Sequence, residues 1–328
     1  MTAQFLLDFT EQNQCWELHT WEVVEQVVKT KTMQDQCRYV ELGEVRASGA
    51  VGAADVFISH AWGGYWRDLV CAAVRAAHGA AEMRFWVDCL AILQHAGEAS
   101  TKEAQAQDLQ RLGDIVRLSQ AVLLVANPGG ELGRTDTIDI VEGKVTLEAA
   151  VRRTVPFFRI WCLFELHTAA SMGTPVVMMI GAGSQDAGRY HPAGWDTCRN
   201  LMYLVNSEKA EASVEADRER ILREVRASPG GVVAMDSAIR GMVLGALESA
   251  DQPLVQACAC GSPQALQELA RAAAEAGDGG WGLLQAAASG GYERVLRALH
   301  QAGVEVATLA GKVRCGCLAL HLREMFCL

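Results

Sequence analysis

Residues 55–88, DVFISHAWGGYWRDLVCAAVRAAHGAAEMRFWVD, contain two short apolar runs on either side of an amphipathic helix pattern. The runs at 55–59 and 84–88 are rich in β-branched and aromatic residues, which is typical of buried strands. Between them, from Trp66 to Ala77, apolar residues recur at the spacing that places them on one face of a helix. A strand, a helix and a second strand in this order predict a right-handed crossover between parallel strands.

The same alternation of strand and helix patterns continues to residue 180. Apolar runs at 121–126 (AVLLVA) and 175–180 (PVVMMI) predict two further buried strands. Helical spacing within 109–119 and 159–172 predicts a helix before each of them. We therefore predict an α/β fold with a parallel sheet covered by helices on both faces. In such sheets the ligand crevice lies at the carboxyl ends of the strands.

Composition and charge exclude several classes of protein. The chain has 328 residues, 50% hydrophobic and 21% charged, which excludes a disordered chain and predicts more than one structural module. The 29 Lys and Arg against 39 Asp and Glu give a net charge of −10, which argues against a nucleic-acid partner. No apolar run approaches the roughly 20 residues of a membrane helix, so we expect no membrane segment. The 11 cysteines lie in apolar segments and predict reduced thiols in a cytoplasmic protein.

The changes of pattern along the chain divide it into four parts. The predicted parts are a helical lead-in at 1–50, the α/β domain at 51–195 with an insertion at about 128–158, a helical bridge at 196–250, and helical repeats at 251–328. The bridge is predicted from a charged amphipathic pattern at 208–227 and an apolar helix pattern at 232–247. These two patterns are separated by the helix-breaking sequence SPGG.

Three motifs in the α/β domain give it a family resemblance. In order they are DVFISHAW at 55–62, FWVD at 85–88 and RIWCLFEL at 159–166. Together they resemble the Toll/interleukin-1 receptor (TIR) domain, in the form found in algae and other protists. The resemblance covers residues 53 to about 181 and implies a flavodoxin-like parallel sheet. The last motif matches the family's W-C-x-x-E-L helix and places its glutamate at Glu165.

The resemblance implies one of two activities. Some TIR domains hydrolyse NAD⁺ and release nicotinamide, and others only assemble with partner TIR domains in signalling. In the catalytic members the motif glutamate is the catalytic residue, which makes Glu165 the catalytic candidate and NAD⁺ a substrate; no cofactor is expected. A carboxylate beside the ribose would stabilise the positive charge that develops as nicotinamide leaves, or would hold the ribose hydroxyls. The alternative for Glu165 is a solvated or arginine-paired carboxylate in the first turns of a helix.

Five further residues are predicted to contact the dinucleotide, and each also has a structural interpretation. The predicted contacts are Ser59, His60, Trp62, Asp88 and Trp161. Adjacent side chains on a strand point to opposite sides, so Ser59 and His60 are not expected to form a nucleophile–base pair. Either tryptophan could pack in the core instead, and Asp88 could bond to a neighbouring loop or cap a helix. No metal site is expected.

The C-terminal part has a second resemblance. Residues 280–304, GWGLLQAAASGGYERVLRALHQAGV, resemble an ankyrin repeat, with less regular copies before and after it. Because single repeats cannot bury their apolar faces, such units stack, and this stack is expected to be incomplete. The resemblance implies protein partners at 251–328.

The resemblance implies a signalling or defence protein with a TIR-like domain, for which NAD⁺ cleavage through Glu165 and TIR self-association are the candidate activities. The alternative is a non-enzymatic scaffold that binds proteins through its TIR-like and ankyrin-like surfaces. A third possibility is an unrelated enzyme that processes a nucleotide or nucleoside in the same crevice. The insertion at 128–158 is a lid over the site, a partner surface or an obstacle to self-assembly.

Overall fold

A computed structural model of the chain describes residues 1–77, 80–95, 97–130, 132–145, 147–185 and 189–249. The predicted ankyrin-like repeats at 251–328 lie outside the described residues. The other three predicted parts fall almost entirely within them.

The described residues form an α/β structure. Its strands are β1 (Val56–His60), β2 (Phe85–Trp86), β3 (Ala121–Ala126), β4 (Val176–Gly183) and β5 (Tyr190–Pro192). The α-helices are α1 (Ala3–Asn13), α2 (Thr20–Val23), α3 (Lys29–Thr32), α4 (Gly43–Ala47), α5 (Trp66–Ala76), α6 (Asp88–Ala91), α7 (Ala99–Gln110), α8 (Leu112–Leu118), α9 (Thr137–Val141), α10 (Ala149–Thr154), α11 (Ile160–Met172), α12 (Trp195–Leu204), α13 (Glu215–Ala227) and α14 (Gly231–Ser249). Short 3₁₀ helices occur at Tyr39–Glu41, Leu132–Arg134, Pro156–Phe158 and Ser207–Lys209, and Val24–Val28 forms a π-helix.

The strands form one sheet in the order β2-β1-β3-β4-β5. The first four strands are parallel, and β1 pairs with β3 from Val56 opposite Ala121 to His60 opposite Val125. This order is compatible with a flavodoxin-like sheet, and it confirms the predicted α/β class. The prediction of a wholly parallel sheet is wrong at its edge, because β5 runs antiparallel to β4. This strand has only three residues and lacks an apolar run, so its pattern resembles a loop.

Alternating residues of the central strands direct their side chains into two apolar layers. Val56 and Ile58 belong to the layer that contains α1 and α5, whereas Phe57 belongs to the layer on the opposite face. This opposite layer contains α8, α11, α12, α13 and α14. Because every residue of β1 and β3 is buried, the sheet is covered on both faces, as predicted.

Residues 1–50 share the core of the α/β part. The indole of Trp66, which is 0% exposed, donates from Nε1 to Thr10 Oγ1 over 2.8 Å and packs on the ring of Phe9. The backbone amide of Trp66 donates to Leu18 O over 2.9 Å, and that of Thr20 donates to Gly64 O over 3.0 Å. The described helices of the lead-in thus contribute side chains that complete one face of the sheet.

A buried carboxylate ties together the carboxyl ends of two strands. Asp68 on α5 accepts from the Gly183 amide over 2.6 Å and from Asn127 Nδ2 over 2.9 Å. Burial raises the pKa of this carboxyl, and the two hydrogen bonds act in the opposite direction. These contacts hold the ends of β3 and β4 against α5.

The predicted bridge packs on the second apolar layer. Ile221 and Val225 of α13 and Ile239 of α14 are buried there. The charged helix begins at Glu215, later than its predicted start at 208, because Ser207–Lys209 forms a separate 3₁₀ turn. None of the described helices combines the length and the apolar character that a membrane crossing requires.

Candidate functional site

A pocket of about 550 Å³ lies at the carboxyl ends of β1 and β2, beside α11. Its volume falls within the roughly 300–1,000 Å³ of typical small-molecule sites. Most of the predicted site residues line it together: His60, Trp62, Asp88, Trp161 and Glu165. Ser59 does not line the pocket, but its hydroxyl lies beside the carboxyl group of Glu165. The three sequence motifs therefore meet at one site.

Glu165 lies in the second turn of α11 and is 6% exposed. Within the described part of the chain, its Oε2 has no hydrogen-bond partner, and neither has Ser59 Oγ. Burial raises the pKa of Glu165 well above its usual value, and Asp88 adds to this effect, whereas Ser59 opposes it. Burial therefore favours the protonated form of this carboxyl group. The interpretation of Glu165 as a solvated carboxylate is wrong.

His60 ends β1 and is buried beside the pocket. Neither of its ring nitrogens has a hydrogen-bond partner among the described residues, and Nδ1 lies 3.9 Å from Asp88 Oδ1. Burial lowers the pKa of His60, although Asp88 partly opposes this effect, so the imidazole is neutral at neutral pH. Ser59 faces Glu165 and His60 faces Asp88, in agreement with the alternation of side chains along a strand.

Asp88 and Trp62 hold the pocket wall in place. Trp62 Nε1 donates to Asp88 Oδ2 over 2.7 Å, and the amide of Cys89 donates to Asp88 Oδ1 over 2.6 Å. Asp88 thus joins the end of β2 to the loop after β1. Trp161 lines the pocket and is also held by packing, because Arg220 lies over its ring at 5.2 Å and Phe164 meets it edge-on.

Cys162 is an inert thiol within this site. Its Sγ donates to His60 O over 3.3 Å, and burial raises its pKa well above the usual value. A thiol that remains protonated is a poor nucleophile. Within the part of the chain that the structure describes, no group of His, Cys, Asp and Glu side chains is arranged to hold a metal ion.

Several pocket residues were not predicted from the sequence. Trp21 comes from the lead-in, Arg153 from α10 in the insertion, Arg159 from the residue before α11, and Ser213 from the bridge. Only Arg159 belongs to a recognised motif, as its first residue. The others lie far from the motifs along the chain, and only tertiary folding brings them to the pocket.

The insertion forms part of the pocket wall because its backbone rests on the loop after β1. A Cβ atom placed on Gly63 would lie 2.7 Å from the carbonyl carbon of Arg153, and one on Gly64 would lie 3.5 Å from Thr154 O. The end of α10 is therefore packed against the two glycines. This contact places Arg153 beside the pocket.

The Gly63→Ala substitution is expected to displace α10 and to lower the free energy of unfolding by about 1–3 kcal/mol, as overpacking does. The added methyl group meets backbone, which cannot rotate away. Denaturant unfolding measures the effect. Gly43→Ala is the matched control, since a Cβ there meets no atom within 4 Å, and its effect should stay within about 1 kcal/mol. Equal effects of the two substitutions would contradict the packing described here.

No family model, curated protein or solved structure matches this chain significantly.

Proposed function

We propose that this chain is a TIR-like signalling or defence protein that hydrolyses the bond between nicotinamide and ribose in NAD⁺ at Glu165. In this proposal the α/β part self-associates, and residues 251–328 are ankyrin-like repeats that bind protein partners. The protein acts in the cytoplasm, and NAD⁺ is its substrate.

The observation that supports the proposal most strongly is the unpaired Oε2 atom of Glu165, a residue that lines the pocket. Both ring nitrogens of His60 and Glu165 Oε2 have no partners among the described residues. Buried polar groups are normally hydrogen-bonded, and leaving one unpaired costs about 1–3 kcal/mol. A ligand that carries hydroxyl groups, such as a ribose, would pair with these atoms.

The chemistry required of Glu165 is compatible with its surroundings. The nicotinamide ring of NAD⁺ is positively charged, and a positive charge beside Glu165 favours the ionised carboxyl. The proton released from Glu165 passes to solvent, and the resulting carboxylate then stabilises the positive charge that develops on the ribose. The C1′–N bond breaks with its electron pair passing to nicotinamide, and a water oxygen forms the new bond to C1′. The proton that this water loses passes to the neutral imidazole of His60 or to solvent.

Incubation of the purified full-length chain with NAD⁺ tests the proposal, with chromatography to detect nicotinamide and ADP-ribose. We expect the wild type to release nicotinamide and the Glu165→Ala variant to release none. Glu219→Ala is the matched control, because Glu219 is exposed on α13 and should leave the rate unchanged. Absence of turnover at high protein concentration, with and without a crowding agent, would reject the enzyme and favour the non-enzymatic scaffold.

A further inference from the structure

The pocket has a buried floor and an exposed rim of different chemistry. We define the floor as His60, Cys162 and Glu165, all of which are buried. We define the rim as Trp21, Arg153, Arg159 and Ser213, which are exposed or partly buried. In the floor, His60 and Glu165 have unpaired polar atoms, and burial favours the neutral imidazole and the protonated carboxyl. The rim carries two guanidinium groups.

Both rim arginines retain free hydrogen-bond donors. Arg159 Nη2 donates to the uncharged Ser213 Oγ over 3.0 Å, and neither Arg153 nor Arg159 forms a salt bridge among the described residues. The neighbouring Arg152, in contrast, pairs with Glu211 over 2.8 Å. A guanidinium group has five N–H donors in a planar fork that matches phosphate oxygens. The rim therefore has unused donors of the kind that bind phosphate.

The charges around the pocket are also compatible with an anion. The chain as a whole carries a net charge of −10, yet two guanidinium groups lie at the pocket rim. The acidic residues of the lining are Asp88 and Glu165, and burial favours the uncharged form of Glu165. An acidic protein that concentrates positive charge at one pocket attracts anionic ligands there. The backbone of Arg153 is fixed by its contact with Gly63, so this charge is held beside the pocket by packing.

We propose that Arg153 and Arg159 form an anion subsite at the rim and bind the phosphate groups of a nucleotide whose other end reaches the floor. The inference rests on the proposed function for the identity of the ligand as NAD⁺, and it names residues that hold the pyrophosphate. The insertion at 128–158 then has a direct role in binding, because it supplies Arg153. Both arginines act in binding and positioning, since they lie on the solvent side of Glu165.

Calorimetric titration of the full-length chain with ADP and with adenosine tests the subsite without any turnover. We expect the wild type to bind ADP at least about tenfold more tightly than adenosine, and the double substitution Arg153→Gln and Arg159→Gln to abolish this preference. The preference should survive Arg117→Gln, a matched control on the exposed surface of α8. Arg153→Lys with Arg159→Lys keeps the charges and should retain part of the preference. Thermal unfolding verifies that each variant is folded.

The outcomes separate this inference from the proposed function. An ADP preference that is missing in the wild type, or that persists in the double glutamine variant, overturns the subsite even if nicotinamide is released from NAD⁺. An ADP preference that depends on the arginines supports the subsite even if NAD⁺ is not cleaved, in which case the hydrolase proposal alone fails.

Discussion

Replacement of Glu165 with glutamine is expected to lower the rate of nicotinamide release by about a hundredfold or more while making the protein more stable at neutral pH. Glutamine has nearly the shape of the protonated carboxyl group but cannot become a carboxylate, so it fills the site and lacks the charge that the reaction needs. Nicotinamide release and denaturant unfolding, measured on the same preparation, check both effects.

The stability effect has a defined pH dependence. The pKa of Glu165 is raised in the folded protein above the 4.5 of the unfolded chain. Above pH 4.5 the folded state therefore holds a proton that the unfolded state has released. The stability contributed by this buried, protonated carboxyl is fully present below pH 4.5 and is lost as the pH rises through the folded-state pKa. The wild type should lose stability relative to Glu165→Gln as pH increases. The lowered pKa of His60 acts equally on both proteins and cancels in their difference.

The control for this experiment is Glu219→Gln, which changes an exposed carboxylate on α13 and should alter neither activity nor the pH dependence of stability. Rapid nicotinamide release by Glu165→Gln would remove Glu165 from the catalytic role. A difference in unfolding free energy that is independent of pH would contradict the burial of a protonated carboxyl group.

The Trp66→Ala substitution is expected to lower the free energy of unfolding by about 3–5 kcal/mol, since it empties a fully buried site and removes a hydrogen bond. Trp66 is 0% exposed, and its Nε1 donates to Thr10 Oγ1 of α1. Loss of this side chain therefore weakens the packing of the lead-in against the sheet. Denaturant unfolding followed by tryptophan fluorescence and by circular dichroism measures the change.

Trp21→Ala is the matched substitution, and it should affect nucleotide binding more than it affects stability. Trp21 is 50% exposed and lines the pocket rim, so its removal should cost about 1 kcal/mol of stability or less. It should also weaken nucleotide binding by about tenfold if the indole stacks on a base. Near wild-type stability of Trp66→Ala would contradict the shared core, because a lead-in folded independently of the sheet would not depend on this residue.

Much of the fold was predictable because β1, β3 and α11 carry strong local patterns. β3 occupies 121–126, as predicted from its uninterrupted apolar run. The predicted end of α11 is confirmed at Gly173, which caps the helix in the left-handed conformation at φ 65°. Helix α1 was not predicted, although Thr2 caps it and Leu6 and Phe9 are spaced for one buried face. Both signals are local and can be recognised in the sequence alone.

The site was predictable to the extent that its residues belong to motifs. His60, Asp88 and Glu165 follow or lie within recognisable elements, and the parallel order of those elements predicts that they meet at one edge of the sheet. The protonation of Glu165 was not predictable, because it depends on how completely neighbouring elements exclude water from a carboxyl group. Arg153 and Trp21 were not predictable either, since nothing in their local sequence distinguishes them from other exposed residues.

The amino-acid pattern alone determined the class of the fold, the order of its central elements and the identity of the central carboxyl group. Apolar periodicity and motif order are local properties, so they can be recognised without knowledge of long-range contacts. Only the tertiary structure decided that the lead-in completes the core, that the insertion rests on Gly63 and that two arginines line the same pocket as the buried His60 and Glu165. The physical reason is that burial, pKa and pocket charge arise from groups that are distant along the chain and become neighbours only when it folds.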